Sequence, residues 1–169
     1  ADMTAPPIVR QAAEGDRAAI AALLDAAFGG SAESRLVERL RAGGDVVLEL
    51  VATERDEIVG HVLFSRLKVE DAGPAFDAVA LAPLAVSPAR QRAGTGSALV
   101  EAAHAMLAQA GERLSIVLGD PGYYARFGYG RERAAGFESD YAGPYLQALA
   151  WGDAPFSGRL AYAAAFAAP

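Results

Sequence analysis

The stretch Leu84-Ala85-Val86-Ser87-Pro88-Ala89-Arg90-Gln91-Arg92-Ala93-Gly94-Thr95-Gly96-Ser97-Ala98-Leu99 decides how this chain is read. It starts as the end of an apolar run, turns through two arginines and two glycines, and opens a helix. Glycine permits tight backbone geometry and close approach of a ligand. The first N–H groups of a helix lack intrahelical partners and point outward, which makes a site for phosphate. No Asp or Glu occurs between Asp77 and Glu101. The least acidic segment of an acidic chain therefore sits where an anion would bind.

Upstream of the turn, Asp77–Val86 reads as a strand with an irregularity. Val79 and Leu81 share one parity, and Leu84 and Val86 share the other. Side chains alternate faces along a strand, so the switch predicts an inserted residue, a β-bulge, near Ala82-Pro83. Proline cannot donate to a sheet ladder and favours edges and bulges. Downstream, Ala98, Leu99, Ala102, Ala103, Met106, Leu107 and Ala110 recur at helical spacing, and Gly111 ends that helix. Leu114–Leu118 is a short, mostly apolar strand of the kind that pairs in parallel. Asp120-Pro121 reads as an N-cap with proline at the first helical position, opening a short helix that runs to Gly128.

Further out, Ile8–Gln11 is a short first strand. Asp16 caps a helix carrying Ile20, Leu23, Leu24, Ala27 and Phe28, which Gly29-Gly30 stops. Ser31 opens a second helix with Glu33 in its first turn and Leu36, Val37 and Leu40 on one face; Gly43-Gly44 ends it. Val46–Thr53 and Ile58–Val69 form a hairpin about the polar turn at 54–57. The tail holds two more strands, Tyr145–Trp151 and Arg159–Phe166. The sum is a mixed α/β (α+β) fold, with antiparallel strands feeding a central β-α-β unit.

The chain has 169 residues, which fits one domain over 1–169. The apolar fraction of 53% overstates the core, because 40 of those residues are alanine. What remains supplies one core rather than two. A net charge of −6 is a poor basis for binding an extended polyanion such as DNA or RNA. The chain contains no cysteine, which excludes disulfides, cysteine-ligated zinc and an acyl-cysteine intermediate. With only His61 and His104, a histidine-rich metal site is not expected. The N-terminal stretch 1–7 has no apolar run of signal-peptide length, and the longest apolar runs, 78–86 and 160–168, fall short of a membrane span. A soluble, cytoplasmic protein is the expectation.

The phosphate-bearing ligand has more than one reading. A Walker loop requires G-K-[ST], which is absent. A dinucleotide-binding fingerprint wants a third small residue where Leu99 stands, although Asp120 could take the part of its ribose-binding acid. That reading makes the chain a nucleotide-binding oxidoreductase. Against it, the glycine turn lies deep in the chain, after an antiparallel hairpin.

Leu84-Ala85-Val86-x-Pro88-x-x-Gln91-x-x-Gly94-x-Gly96-x-x-Leu99 resembles the acetyl-coenzyme A signature of the GNAT superfamily of N-acetyltransferases, whose core is Q-x-x-G-x-G. Tyr123-Tyr124-Ala125-Arg126-Phe127-Gly128-Tyr129 resembles the family's aromatic-Tyr-x-x-x-Gly-aromatic segment, with Tyr124 in the key position. The resemblance runs from about Ile8 to Gly136. Glu33-x-x-Leu36-Val37-x-x-Leu40-Arg41 and Ile58-Val59-Gly60-His61 are similar to a branch of small bacterial acetyltransferases. Ala93 departs from the Lys or Arg common in the family.

The resemblance implies a GNAT-like sheet of about six to seven strands, mostly antiparallel, with a splayed parallel pair and flanking helices. It implies acetyl-coenzyme A as cosubstrate, no metal, and an amine acceptor that attacks the thioester directly. Leu84, Ala85 and Val86 would offer backbone groups to the pantetheine arm, and an N–H near Leu84 would stabilise the oxyanion. Gln91, Arg92, Ala93, Gly94, Thr95, Gly96 and Ser97 would hold the pyrophosphate, with Arg90 and Arg92 adding long-range attraction. Tyr124 would protonate the leaving thiolate, with Tyr123 and Phe127 as packing residues.

The base is open. His61 competes with a purely structural role, Asp120 with capping, Glu33 with the helix dipole, and His104 is expected to be exposed. A relay through water and backbone carbonyls needs none of them and is favoured. The acceptor cleft is expected between the first two helices and the C-terminal strands. There Tyr141, Tyr145, Trp151, Phe156 and Tyr162 line it or form a homodimer contact. A non-catalytic acyl-coenzyme A sensor is the competing function with the same fold.

Overall fold

The computed structural model describes residues 6–167. The absence of a leader in the 1–5 stretch is an expectation that lies outside the described residues. The elements are β1 (Ile8–Gln11), α1 (Arg17–Phe28), α2 (Ala32–Ala42), β2 (Val46–Glu54), β3 (Glu57–Glu70), β4 (Phe76–Val86), α3 (Thr95–Gln109), β5 (Leu114–Leu118), α4 (Pro121–Tyr124), α5 (Arg131–Ala134), β6 (Phe137–Glu138), β7 (Leu146–Ala150) and β8 (Gly158–Ala161). The strands form one sheet in the order β1-β2-β3-β4-β5-β7, with β8 pairing β3 and β6. The sheet has eight strands rather than six or seven. The extra one is β6, two residues long and too short to show a period. The tail strand is shorter than expected: β8 stops at Ala161, and Phe166 belongs to a 3-10 turn.

Local chemistry sets the turns. Arg55 and Asp56 between β2 and β3 both have positive φ, the two-residue hairpin turn whose twist matches that of the strands. Gly29 takes φ +74 and ends α1. Asp16 occupies the N-cap position of α1, but its carboxylate does not cap that helix. It accepts instead from the Ala13 N–H at 2.7 Å and from Arg10. Asp120 does cap α4, accepting from the Gly122 N–H at 2.9 Å.

The bulge is present. Phe64 pairs with Leu81 and Val62 with Leu84, so three steps along β4 match two along β3. The extra residue falls at Ala82-Pro83. Beyond it β4 keeps its antiparallel partner but loses the parallel one. β5 pairs β4 only at Val79–Ser115, Ala80–Ile116 and Leu81–Val117. Leu84, Ala85 and Val86 have no partner on β5, while Leu118 continues along β7. The sheet is open there.

Three apolar clusters cover the sheet. One face packs α3 against Leu50, Val62, Phe64, Val79 and Leu81. The other face packs α1 and α2 over Val51, Leu63 and Ala85, and α5 with β6 and β8 over Ala78, Ala80, Leu114 and Ile116. The buried stripe of α3 is Thr95, Gly96, Leu99, Val100, Ala103 and Leu107. It is rolled toward Val100 relative to the expected stripe, and Ala98 and Ala110 are not buried. The cause is Gly60 of β3: a Cβ there would stand 2.8 Å from Leu99 Cδ1 and 2.9 Å from Thr95 Cγ2. The missing side chain lets the first two turns of α3 sink onto the sheet. Among the described residues, no helix is long and apolar enough to cross a membrane.

Candidate active site

The glycine turn delivers the N-terminus of α3 to the open end of the sheet. Gln91 is extended, Arg92 has φ +67 and Gly94 φ +85, so the backbone reverses hand twice before the helix begins. Such alternation turns successive N–H groups toward one concavity. The concavity is a cavity of about 480 Å³ lined by Leu84, Val86, Gln91, Arg92, Gly94, Gly96, Ser97, Tyr123 and Arg126. Seven of these are residues expected to hold the cofactor. Three others are placed differently. Ala85 turns to the α1 and α2 face, Ala93 is exposed, and Thr95 is buried against Gly60. None of the three lines the cavity, and the Ala93 N–H donates to the Arg90 carbonyl at 3.4 Å.

Arg90 does not serve the cavity. Its Nε donates to Glu54 Oε2 at 2.9 Å, so its charge is spent on the β2–β3 turn. The second cation is Arg126, whose role the sequence reading missed. Its guanidinium lies 4.5 Å from the Tyr123 ring centroid and 5.3 Å from that of Phe127, and Nη2 donates to Ser97 Oγ at 3.4 Å. The signal was available: Arg126 lies three residues after Tyr123, one turn along the short helix. Gly96 lets the Tyr123 hydroxyl approach the start of α3 closely, because a Cβ there would stand 2.5 Å from it. Tyr123 thus lines the cavity rather than packing away from it.

Tyr124 stands against the other arm of the opening. A Cβ on Gly119, just past β5, would meet Tyr124 Cε2 at 2.6 Å. Its ring packs on the α3-side cluster with Tyr123, Phe127 and Tyr129. The hydroxyl has no hydrogen bond among the described residues, and burial pushes its pKa up to about 12. It keeps its proton at neutral pH and can donate it.

His104 is not exposed. It is half-buried, with Nε2 2.9 Å from the Tyr129 hydroxyl and rings of Phe64, Phe127 and Trp151 around it. Burial pushes its pKa down to about 4. The Tyr129 hydroxyl also meets Ser115 Oγ at 2.8 Å, so the three residues tie α3, β5 and the segment after α4 together. Trp151 and Phe156 leave the expected acceptor cleft: Trp151 packs on His104, and Phe156 lies 3.7 Å under the Arg133 guanidinium. Tyr141, Tyr162 and Phe166 form a continuous aromatic row that reaches the cluster under α2. Glu33 lines a small groove with Arg35, Leu36 and Phe166. Asp120 is occupied by its cap. No group of three or more His, Cys, Asp or Glu among the described residues could hold a metal ion.

An open parallel pair, a bulge on one arm and a helix N-terminus at the mouth define an acyltransferase fold of one kind. The family model for the acetyltransferase (GNAT) domain matches residues 8–131, and the chain belongs to the GNAT acetyltransferase family. Its particular relatives are bacterial. The uncharacterized N-acetyltransferase YhbS of Escherichia coli strain K12 is 37% identical over 115 residues, 68% of each chain. The crystal structure of the E. coli GNAT family N-acetyltransferase YhbS in complex with CoA superposes with a TM-score of 0.89 at 29% identity, covering 99% of this chain and 96% of that one. A GNAT family acetyltransferase from Brucella melitensis in complex with acetyl-CoA gives a TM-score of 0.81 at 34% identity, covering 95% and 97%.

Proposed function

We propose that the chain transfers the acetyl group of acetyl-CoA directly to an amine held at the opening between β4 and β5. The observation that carries this reading is the loss of pairing after Leu81, at the lip of the cavity on α3. Unpaired backbone N–H and C=O groups in a buried setting need partners. The pantetheine arm supplies them as an added strand along Leu84, Ala85 and Val86. The amides of the turn from Gln91 to Ser97, with Arg92 and Arg126, hold the pyrophosphate at the N-terminus of α3. The thioester then lies in the gap. The N–H near Leu84 donates a hydrogen bond to the developing oxyanion. Tyr124 gives its proton to the departing thiolate. With no cysteine in the chain to carry the acetyl group, transfer runs within one ternary complex.

The test is a thermal shift with acetyl-CoA, CoA and NAD, followed by an amine panel with free-thiol detection. Stabilisation by acetyl-CoA and thiol release only with an amine are expected. Stabilisation by NAD alone would overturn the reading, and binding without thiol release would make the chain a sensor. In the same assay Tyr124→Phe keeps its affinity for acetyl-CoA and loses most of its turnover. Full turnover in that variant sinks the acid role.

A further inference from the structure

The face of the sheet away from the α3 cavity holds a buried polar group that the reaction above leaves idle. Val51, His61 and Ala85 lie in register across β2, β3 and β4. Side chains directly opposite in antiparallel strands share a face. Val51 and Ala85 belong to the cluster under α1 and α2, so His61 points there too, and it is wholly buried. Its Nε2 lies 2.8 Å from Glu49 Oε2. Glu49 also accepts from Arg41 Nε at 3.1 Å and Nη2 at 2.6 Å. Burial pushes the Glu49 carboxyl up, but the bonds from His61 and Arg41 outweigh it and hold the pKa at about 2. An ionised carboxylate only accepts, so Nε2 carries the hydrogen between the two. The other ring nitrogen, Nδ1, is buried without a hydrogen-bond partner.

A buried unpaired nitrogen is costly to keep, and a glutamine at this position would satisfy Glu49 without it. The position supplies the reason. Ala85, across from His61, lies in the stretch of β4 that has parted from β5. Tyr124 packs on the α3 face of the same opening. Tyr124 and His61 thus lie toward opposite faces of the sheet.

We propose that His61 Nδ1 is the proton acceptor for the attacking amine, reached through one water on the α1 and α2 face, with Glu49 and Arg41 as its positioning residues. The inference rests on the acetyl-transfer reading. The substrate ammonium gives a proton through the water to Nδ1. The free amine forms the N–C bond, the C–S bond breaks, and the thiolate takes the Tyr124 proton. The second amine proton restores Tyr124, and the imidazolium, stabilised by Glu49, returns its proton to water. The charged groups on this side are Glu49 of β2 and Arg41 of α2. Glu14 and Arg17 line the small cavity of about 310 Å³ onto which Glu49 opens. Besides Arg17, α1 contributes Ile20 and Leu24, and β4 contributes Ala85, all apolar.

The test uses the full chain, acetyl-CoA and two probes: ethanolamine, charged at pH 7, and hydroxylamine, neutral there. His61→Gln should slow transfer to ethanolamine by about 100-fold at pH 7. The loss should shrink as pH rises and the free amine appears unaided. Transfer to hydroxylamine and the affinity for acetyl-CoA should stay near the wild-type values. Equal slowing of both amines at every pH would overturn the proposal while leaving acetyl transfer intact. Acetyl-CoA that is neither bound nor consumed would sink both. Ring-nitrogen NMR of the wild-type chain, which has only two histidines, is independent of any variant's folding. The hydrogen is expected on Nε2 of His61 with Nδ1 bare, and a protonated Nδ1 in the neutral ring would refute the assignment.

Discussion

Gly60→Ala tests the link between the packing of α3 and the binding of acetyl-CoA. A methyl at this position would lie 2.8 Å from Leu99 Cδ1, 2.9 Å from Thr95 Cγ2 and 3.4 Å from Ala52 Cβ, where ordinary contact begins at 3.4 Å. Relief on the α3 side needs a shift of at least about 0.6 Å. Leu99 and Ala52 are fully buried and Thr95 nearly so; the room has to come from the helix. Overpacking of this size costs about 1–3 kcal/mol. Removing glycine from a strand returns about 0.5–1 kcal/mol. The difference is a net loss of up to about 2.5 kcal/mol, about 1 kcal/mol at the centre of the two ranges. For a domain of this size about 1 kcal/mol lowers Tm by roughly 2–4 °C.

Because Thr95 is the first residue of α3, the same shift moves the N–H groups proposed to hold the pyrophosphate. Hydrogen bonds at a helix N-terminus weaken steeply once distance and angle leave their narrow range. Affinity for acetyl-CoA should fall by about tenfold, the equivalent of about 1.4 kcal/mol. The assays are thermal melting of the free chain and calorimetric titration with acetyl-CoA. Gly30→Ala, with nothing within 4 Å of its Cβ, is the control and should change neither. A Gly60→Ala chain that melts and binds like the wild type would refute the packing argument. One that melts lower but binds normally would separate the packing of α3 from the ligand site.

Arg126→Ala should weaken acetyl-CoA by about tenfold and make the affinity less sensitive to salt, since one charge-assisted contact at an exposed site is lost. Unchanged titrations at low and high salt would remove Arg126 from the site. His104 gives a pH dependence. Its folded-state pKa lies near 4, below the ordinary 6.5, so between these values the unfolded chain binds the extra proton. Its contribution to stability is present above pH 6.5 and is lost as pH falls toward 4. Denaturation midpoints of His104→Gln should fall less steeply than those of the wild type across that window. Parallel slopes would show that His104 titrates alike in both states.

Much of the sheet was legible because strand parity and helix period are local. The parity switch between Leu81 and Leu84 located the bulge, since a slipped residue changes which face every later side chain takes. Turn chemistry located the ends of α1 and α3 for the same reason. The short pieces were not legible. β6 and α5 span two and four residues, less than one period of any pattern, and they form because the tail returns to pair with β3. The stripe of α3 was misread by part of a turn because alanine fits either face, and the roll is set by Gly60 on a strand far away in sequence.

The candidate site divides the same way. Gly94 and Gly96 announce themselves by spacing, because a turn that exposes backbone amides at a helix start needs particular glycines close together in the chain; Gln91 and Tyr124 come from the resemblance to the family's motifs. Which cation reaches that turn is a matter of distance in space. Arg90, two residues from Arg92, is held by Glu54, while Arg126 arrives from the far side of β5. The sequence by itself determined the bulge on β4 and the glycine turn that opens α3, since each is written in contiguous residues. Only the tertiary structure decided that His61, bland as a lone histidine, stands beside Glu49 and Arg41 with one nitrogen unpaired. The three come from β3, β2 and α2, and their contacts are long-range electrostatics that no local period encodes.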